Sequence, residues 1–136
     1  MANVVVLAGD VLYAERPAGG AITPGHLIDY STTNVVVNAT AADTSAPIMF
    51  AVENSDEGKG ILDAYASGDR VRFVFPSVGA LINAWVEAAA VLVVGTALQS
   101  GGSGNLEIFT TGRIIAYSEE AKTVGGSAER TRVRIA

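Results

Sequence analysis

Short runs of β-branched and aromatic residues, broken by glycine and proline, recur along the whole sequence. The clearest run covers residues 70–75, in which every second side chain is apolar. Val71, Phe73 and Phe75 are predicted to face inward, with the arginines between them facing solvent. Pro76 ends the run because proline cannot donate a hydrogen bond to a neighbouring strand. Such runs favour strands and the residues between them favour turns, so the sequence predicts an all-β fold.

The rest of the chain extends this pattern within one folded domain. It has 136 residues, of which 49% are hydrophobic and 17% charged, enough for a core of its own. Residues 80–90 contain helix-favouring alanines but run directly into Val91–Val94, so we interpret them as a strand, a turn at 87–89 and a second strand. We expect a small barrel or sandwich of about 8–10 short strands. The other predicted strands cover residues 25–30, 34–38, 48–52, 106–109, 113–117 and 130–135.

The first twenty residues allow two interpretations. Val4, Val5, Val6 and Leu7 form a short apolar run, and a loop rich in glycine and proline follows at residues 16–20. Such a segment can leave the domain as an arm and add to a sheet edge of a partner, in which case these four side chains bind that partner. It can equally be the first strand of the domain. The predicted organisation is an arm and loop over residues 1–20 and a single β domain over 21–136.

Charge and hydropathy argue against two classes of partner. Nine basic and fourteen acidic residues give a net charge of −5, which disfavours binding to nucleic acid. Arg130, Arg132 and Arg134 share one face of a predicted strand, and we interpret that face as solvated. No stretch approaches the about 20 apolar residues of a membrane helix, so the sequence predicts a soluble protein.

No cluster of residues predicts catalysis, a cofactor or a metal. His26 is the single histidine and cysteine is absent, which makes a zinc site or a catalytic triad improbable. The carboxylate pairs Asp56–Glu57 and Glu119–Glu120 lie in polar, turn-like stretches, whereas acid–base catalysis needs a desolvated carboxyl group. The glycines of residues 101–104 lack the Lys-Ser/Thr of a phosphate-binding loop and predict a flexible hairpin. We therefore expect a protein that is not an enzyme.

Five segments of the second half of the chain form a recognisable order: residues 66–71, 83–86, 91–98, 113–117 and 130–135. In these segments the chain resembles the capsid decoration (cement) proteins of tailed bacteriophages, which have small β-barrel or β-tulip domains. The resemblance implies a virion protein that is made in the host cytoplasm and binds the exterior of the mature viral capsid. It implies head stabilisation, achieved when trimers clamp neighbouring subunits of the major capsid protein.

Self-association is also expected from the residues, since the mean hydropathy is +0.35. A chain this apolar is expected to bury part of its surface against copies of itself as a homo-oligomer, most simply a homotrimer. The predicted contacts are Val35, Val36, Val37, Ile114 and Ile115.

Two other classes of protein fit a small β domain. A biotinyl- or lipoyl-type carrier barrel needs a lysine at an exposed hairpin tip, and Lys59 and Lys122 are predicted to lie in turns without the residues expected beside them. A carbohydrate-binding or adhesin module needs exposed aromatic side chains. Trp85 lies in an apolar run and is predicted to be part of the core.

Overall fold

The computed structural model describes residues 4–136, and its regular structure is almost entirely β. The predicted all-β class is confirmed. The described part has more strands than expected because four of them contain only two residues. One 3₁₀ turn spans Ser55–Glu57. The strands are β1 (Val6–Ala8), β2 (Val11–Pro17), β3 (Ile28–Ser31), β4 (Asn34–Val37), β5 (Ala41–Ala42), β6 (Phe50–Ala51), β7 (Arg70–Pro76), β8 (Leu81–Val86), β9 (Val91–Leu92), β10 (Ala97–Gly101), β11 (Leu106–Ile108), β12 (Ala116–Ser118), β13 (Lys122–Thr123) and β14 (Glu129–Ile135).

Five strands close into a barrel in the order β8, β11, β10, β12 and β14, and β14 pairs back with β8. The β8–β14 ladder is antiparallel over six residue pairs, from Val86 opposite Glu129 to Leu81 opposite Arg134. Strand β11 joins β8 in parallel at a single pair, Leu106 opposite Val86. Strands β1 and β5 extend the sheet by pairing with β8 and β10.

The barrel encloses the larger of two hydrophobic cores. Alternate side chains of β8 and β14 point into it, as the period of two in a strand requires. The arginines of β14 therefore lie on the outer wall, which confirms the two faces predicted for this strand. The inward residues of the two strands are Ile82, Ala84, Val86, Thr131, Val133 and Ile135.

A second sheet, in the order β2–β7–β6, packs with the β3–β4 hairpin around a smaller core. Strand β7 lies between the two cores. Val71 and Phe73 are buried in the smaller core, as predicted, and Phe75 is half-buried against it. Val74 is buried in the barrel core. Both faces of β7 are therefore covered, and this strand joins the two parts of the molecule.

The N-terminal residues that the structure describes are part of this fold. Val5 is fully buried in the barrel core, and β1 follows it against β8. Strand β2 pairs with β7 over seven residues, from Val11 opposite Pro76 to Pro17 opposite Arg70. The first-strand interpretation therefore holds for β1, whereas β2 was not predicted and includes residues 16–17 of the expected loop. The boundary predicted at residue 20 does not match this pairing. Residues 1–3 of the predicted arm lie outside the described residues.

The region predicted as strand, turn and strand has that structure, but its second strand is shorter than expected. Strand β9 ends at Leu92, and Val93 and Val94 lie in an exposed turn. The Thr96 hydroxyl accepts a hydrogen bond from the Val93 N–H at 3.0 Å, and Gly95 has φ +93°. A hydroxyl that bonds the backbone, followed by left-handed glycine geometry, stabilises a turn more than a continued strand.

The glycine-rich hairpin between β10 and β11 is present as predicted, but its backbone is held in place. The Gly104 N–H donates to the Asn38 carbonyl at 3.0 Å, and the Gly104 carbonyl accepts from the Leu27 N–H at 2.9 Å. The buried Asn38 amide also donates to Thr44 Oγ1 at 3.0 Å. These bonds connect the hairpin to the polar loop after β4, so the predicted flexibility is restricted by tertiary contacts.

Candidate binding surface

The predicted capsid-binding residues differ in accessibility. Val4 is 44% exposed, Val6 and Leu7 are half-buried, and Val5 is fully buried. A contact through Val5 is incompatible with its place in the barrel core, because β1 would have to leave the sheet. Contacts through Val4, Val6 and Leu7 stay a prediction.

The predicted oligomer contacts divide in the same way. Val35 is buried in the smaller core and Ile115 in the barrel core, so these two side chains pack within their own chain. The prediction is wrong for both, because runs of apolar residues do not distinguish a core from an interface. Val36, Val37 and Ile114 are half-buried and remain candidate contacts.

A groove of about 980 Å³ lies on the outer wall of the barrel, along β8 and β14. Its floor contains two cross-strand pairs, Asn83 opposite Arg132 and Trp85 opposite Arg130. Leu81 continues the floor along β8. The walls are Leu7 of β1 and the turn at residues 61–62 together with Glu120, Lys122, Ala128 and Glu129.

Arg130 is the most constrained charged residue of the groove. Its guanidinium lies over the Trp85 ring, 4.5 Å from the centroid. Its Nε donates to the Pro24 carbonyl at 3.1 Å, and a terminal nitrogen donates to the Ile61 carbonyl. Trp85 Nε1 donates to the same Pro24 carbonyl at 3.0 Å. These bonds hold the cation and the indole in fixed positions, and burial lowers the pKa of the guanidinium.

The other charged residues of the groove have ionic partners. The Glu120 carboxylate lies 3.9 Å from Arg132 Nε and accepts the Arg132 backbone N–H at 2.8 Å. Lys122 lies 3.7 Å from the Glu129 carboxylate. Within residues 4–136, by contrast, no carboxylate oxygen lies within 4.0 Å of the Arg130 guanidinium.

Sequence reasoning missed this surface because it placed Trp85 in the core and treated the arginines alike. Trp85 is half-buried on the outer wall. The signal was present in the period of two along β8, since Trp85 alternates with the inward Ala84 and Val86. The contact between Arg130 and Pro24, however, joins residues 106 positions apart and has no local signature.

His26 lies beside the groove and has a packing role. Its ring centroid is 5.8 Å from that of Trp85, and its Nδ1 accepts the Thr23 N–H at 3.1 Å. Burial, reinforced by the positive charge of Arg130, lowers the pKa of His26 from 6.5 to about 4. The neutral imidazole is therefore the form that the folded protein holds.

The low pKa of His26 predicts a pH-dependent stability. Between pH 6.5 and about 4 the unfolded chain binds a proton on His26 that the folded chain does not bind. The free energy of unfolding should therefore fall as the pH falls through this window, by at most about 3 kcal/mol. Urea denaturation at pH 7 and pH 4.5 measures the change. The His26→Gln variant should lack the part of the pH dependence that arises from His26. An identical pH dependence in wild type and variant would contradict the prediction.

Several side chains that the sequence analysis considered for chemistry take part in ion pairs or strand pairing. Among residues 4–136, no group of three or more His, Cys, Asp or Glu side chains is placed to hold a metal ion. No helix in that range is long and apolar enough to cross a membrane. Glu119 and Glu120 pair with arginines of β14, and Lys122 is part of the β13–β9 pair. The groove combines the apolar side chains of Leu7, Leu62 and Leu81 with the fixed cation of Arg130.

Comparison with known proteins extends the description of the fold. No protein-family model matches the chain, and no curated protein matches it significantly. Among solved structures, the chain is similar to the N base of the head fiber gp8.5 of bacteriophage phi29, with a TM-score of 0.60 and 14% sequence identity. The match covers 93% of this chain and 95% of the other. At this identity the likeness establishes a shared fold over nearly the whole chain.

Proposed function

We propose that this chain is a structural protein of a bacteriophage virion that binds the exterior of the head and stabilises it. The observation that carries the proposal is the fold shared with a head fiber base over 93% of the chain. The resemblance of its second half to capsid decoration proteins, found from different information, points to the same class. In this proposal the protein is made in the host cytoplasm, is not an enzyme, and clamps neighbouring subunits of the major capsid protein.

The structure supports a binding role in two ways. The groove on β8 and β14 combines apolar side chains with a fixed guanidinium, as protein interfaces often do. Apolar side chains are also exposed elsewhere, including Leu12 of β2 and Val91 of β9. Side chains of this kind are available for contacts with other proteins.

The alternatives fit the geometry less well. A carrier barrel needs a free lysine, but Lys122 Nζ donates to the Arg130 carbonyl at 3.1 Å and pairs with Glu129. Lys59 follows a 3₁₀ turn and not a hairpin of the barrel. A sugar-binding module needs an open aromatic face, but arginines lie over the rings of Trp85, Tyr13 and Tyr30, which leaves Tyr117 with 39% of its surface exposed.

A homotrimer is part of the proposal. The half-buried Val36, Val37 and Ile114 remain its candidate contacts, and light scattering on the purified protein measures the mass. Self-association lets one particle contact several capsid subunits at once, which raises the total strength of attachment.

The proposed function predicts that the protein protects heads from heat. A protein that binds the assembled head, but not its separated subunits, raises head stability through its binding free energy. Heads that lack the protein should bind it in co-sedimentation and should then release DNA at a higher temperature, measured by dye fluorescence. Immature heads provide a control for the state that is recognised. Absence of binding to mature heads would reject the proposal, and binding without protection would reject the clamping role.

A further inference from the structure

Two polar groups in the groove lack partners of the kind that buried groups normally have. Asn83 is only 7% exposed and lines the groove, and its amide makes no hydrogen bond with residues 4–136. Arg130 has no ionic partner in the same range, and its Nη1 has no hydrogen bond there. Among the described residues only Thr131 Oγ1 is buried without a hydrogen bond, so the free donors of Asn83 and Arg130 are open to the groove and to a ligand that enters it.

The two groups are neighbours on the floor of the groove. Asn83 and Trp85 are next-but-one residues of β8, and Arg130 lies opposite Trp85. The charge of Arg130 is therefore presented next to the Asn83 amide. Glu53 acts on Arg130 electrostatically, but its carboxylate accepts the Val5 N–H and lies more than 4.0 Å from the guanidinium. A carboxylate from outside has both a cation and an amide donor available to it.

Apolar side chains lie near this pair, beside the ion pairs Glu120–Arg132 and Lys122–Glu129. Leu81 continues the floor, Leu7 forms part of one wall, and Leu62 stands at the rim with 83% of its surface exposed. A ligand that carries a carboxylate and neighbouring apolar groups therefore matches the groove in charge and in polarity. Free acetate or a phosphate would leave the leucines exposed, whereas an extended peptide segment would cover them.

We propose that this groove binds a segment of the major capsid protein in which an aspartate or glutamate is flanked by apolar side chains. The carboxylate bonds Arg130 and the Asn83 amide, and the apolar side chains lie on Leu7, Leu62 and Leu81. This inference rests on the proposed function, because it names the surface through which the protein attaches to the head.

Substitutions at Leu62 test the charge of the partner. Leu62→Asp brings a second carboxylate to the rim, where it repels an acidic segment and competes for Arg130, so head affinity should fall about tenfold or more. Leu62→Lys removes the same apolar contact but brings a charge that attracts an acidic segment, so its loss of affinity should be much smaller than that of Leu62→Asp. Val78→Asp makes the same charge change at a residue that is also 83% exposed but does not line the groove, and it should bind as the wild type does. Co-sedimentation with heads over a range of protein concentrations measures the affinities of the wild type and the three variants.

Asn83→Leu tests whether the Asn83 amide binds the partner. Its readout is a loss of head binding without a loss of thermal stability, which a purely structural role would not produce. The Asn83 amide makes no hydrogen bond within residues 4–136, so its removal should change the melting temperature little. The same change should weaken head binding about tenfold, since the carboxylate loses a donor. A folded Asn83→Leu variant with full affinity would overturn the inference. Equal losses for Leu62→Asp and Leu62→Lys, or for Leu62→Asp and Val78→Asp, would overturn it too. If the wild-type protein fails to bind heads, the proposed function is wrong, and the proposed capsid segment is then excluded as the partner.

Discussion

Val5→Asp should lower the free energy of unfolding by about 4 kcal/mol or more, enough to leave a domain of ordinary stability largely unfolded. Val5 is fully buried among apolar residues of the barrel core, and its carbonyl accepts the Asn83 N–H at 2.7 Å. A carboxylate at this position would lose its hydration without gaining a partner. Circular dichroism during urea denaturation measures the change.

The adjacent residue provides a matched control. Val4 is 44% exposed, so Val4→Asp should change the free energy of unfolding by no more than about 0.5 kcal/mol. Deleting residues 2–7 should likewise destabilise the protein, because it removes Val5 and the β1–β8 pairing. If the deletion left the melting temperature unchanged and abolished head binding, the segment would be an arm that leaves the sheet, and the packing described for Val5 would not be its working state.

Gly25→Ala should cost about 3 kcal/mol, a large effect for a single methyl group. Gly25 has φ +100°, a conformation that strains alanine. A Cβ at this position would lie 2.9 Å from the Asn83 carbonyl oxygen and 3.1 Å from Trp85 Cδ1. Neither neighbour can easily move, because Asn83 is part of the β8–β14 ladder and the Trp85 indole is hydrogen-bonded to the Pro24 carbonyl. Thermal and urea denaturation measure the loss.

Gly68→Ala separates the two causes of this loss. Gly68 has φ +90°, but no atom lies within 4 Å of a Cβ built there. The variant should therefore show the conformational strain alone, about 1 kcal/mol. The difference between the losses of unfolding free energy in the Gly25 and Gly68 variants measures the cost of the close approach between the turn at residues 23–26 and β8. Equal costs would show that this approach is looser than the structure has it.

The parts of the fold that follow from local alternation were predictable. In β14 the side chains of Thr131, Val133 and Ile135 alternate with arginines, and the two faces lie as the sequence indicated. The same holds for Val71 and Phe73 in β7. A strand exposes its side chains alternately to opposite sides, so the pattern itself carries the orientation. The strand and turn over residues 81–89 followed from continuity with Val91–Val94, against the helical propensity of the alanines.

Burial on both sides of an element was not predictable in this way. Val74 is buried although it lies on the face of β7 opposite Phe73, because the barrel covers that face. Val35 and Ile115 have the composition of contact residues, yet they pack within the chain. The apolar character of a residue does not show whether it packs within its own chain or against another chain. Only the tertiary packing distinguishes the two cases.

The sequence by itself determined that this is a β protein, where most of its turns lie and which side chains share a face of each strand, because those properties depend on residues a few positions apart. The tertiary structure alone decided that five strands close into a barrel and that residues 6–8 and 11–17 belong to the sheets. It also placed Arg130 over Trp85 and against Pro24, 106 positions away, and brought the Asn83 amide beside it. Such a surface arises from strands that meet only when the barrel closes, so no local pattern can encode it.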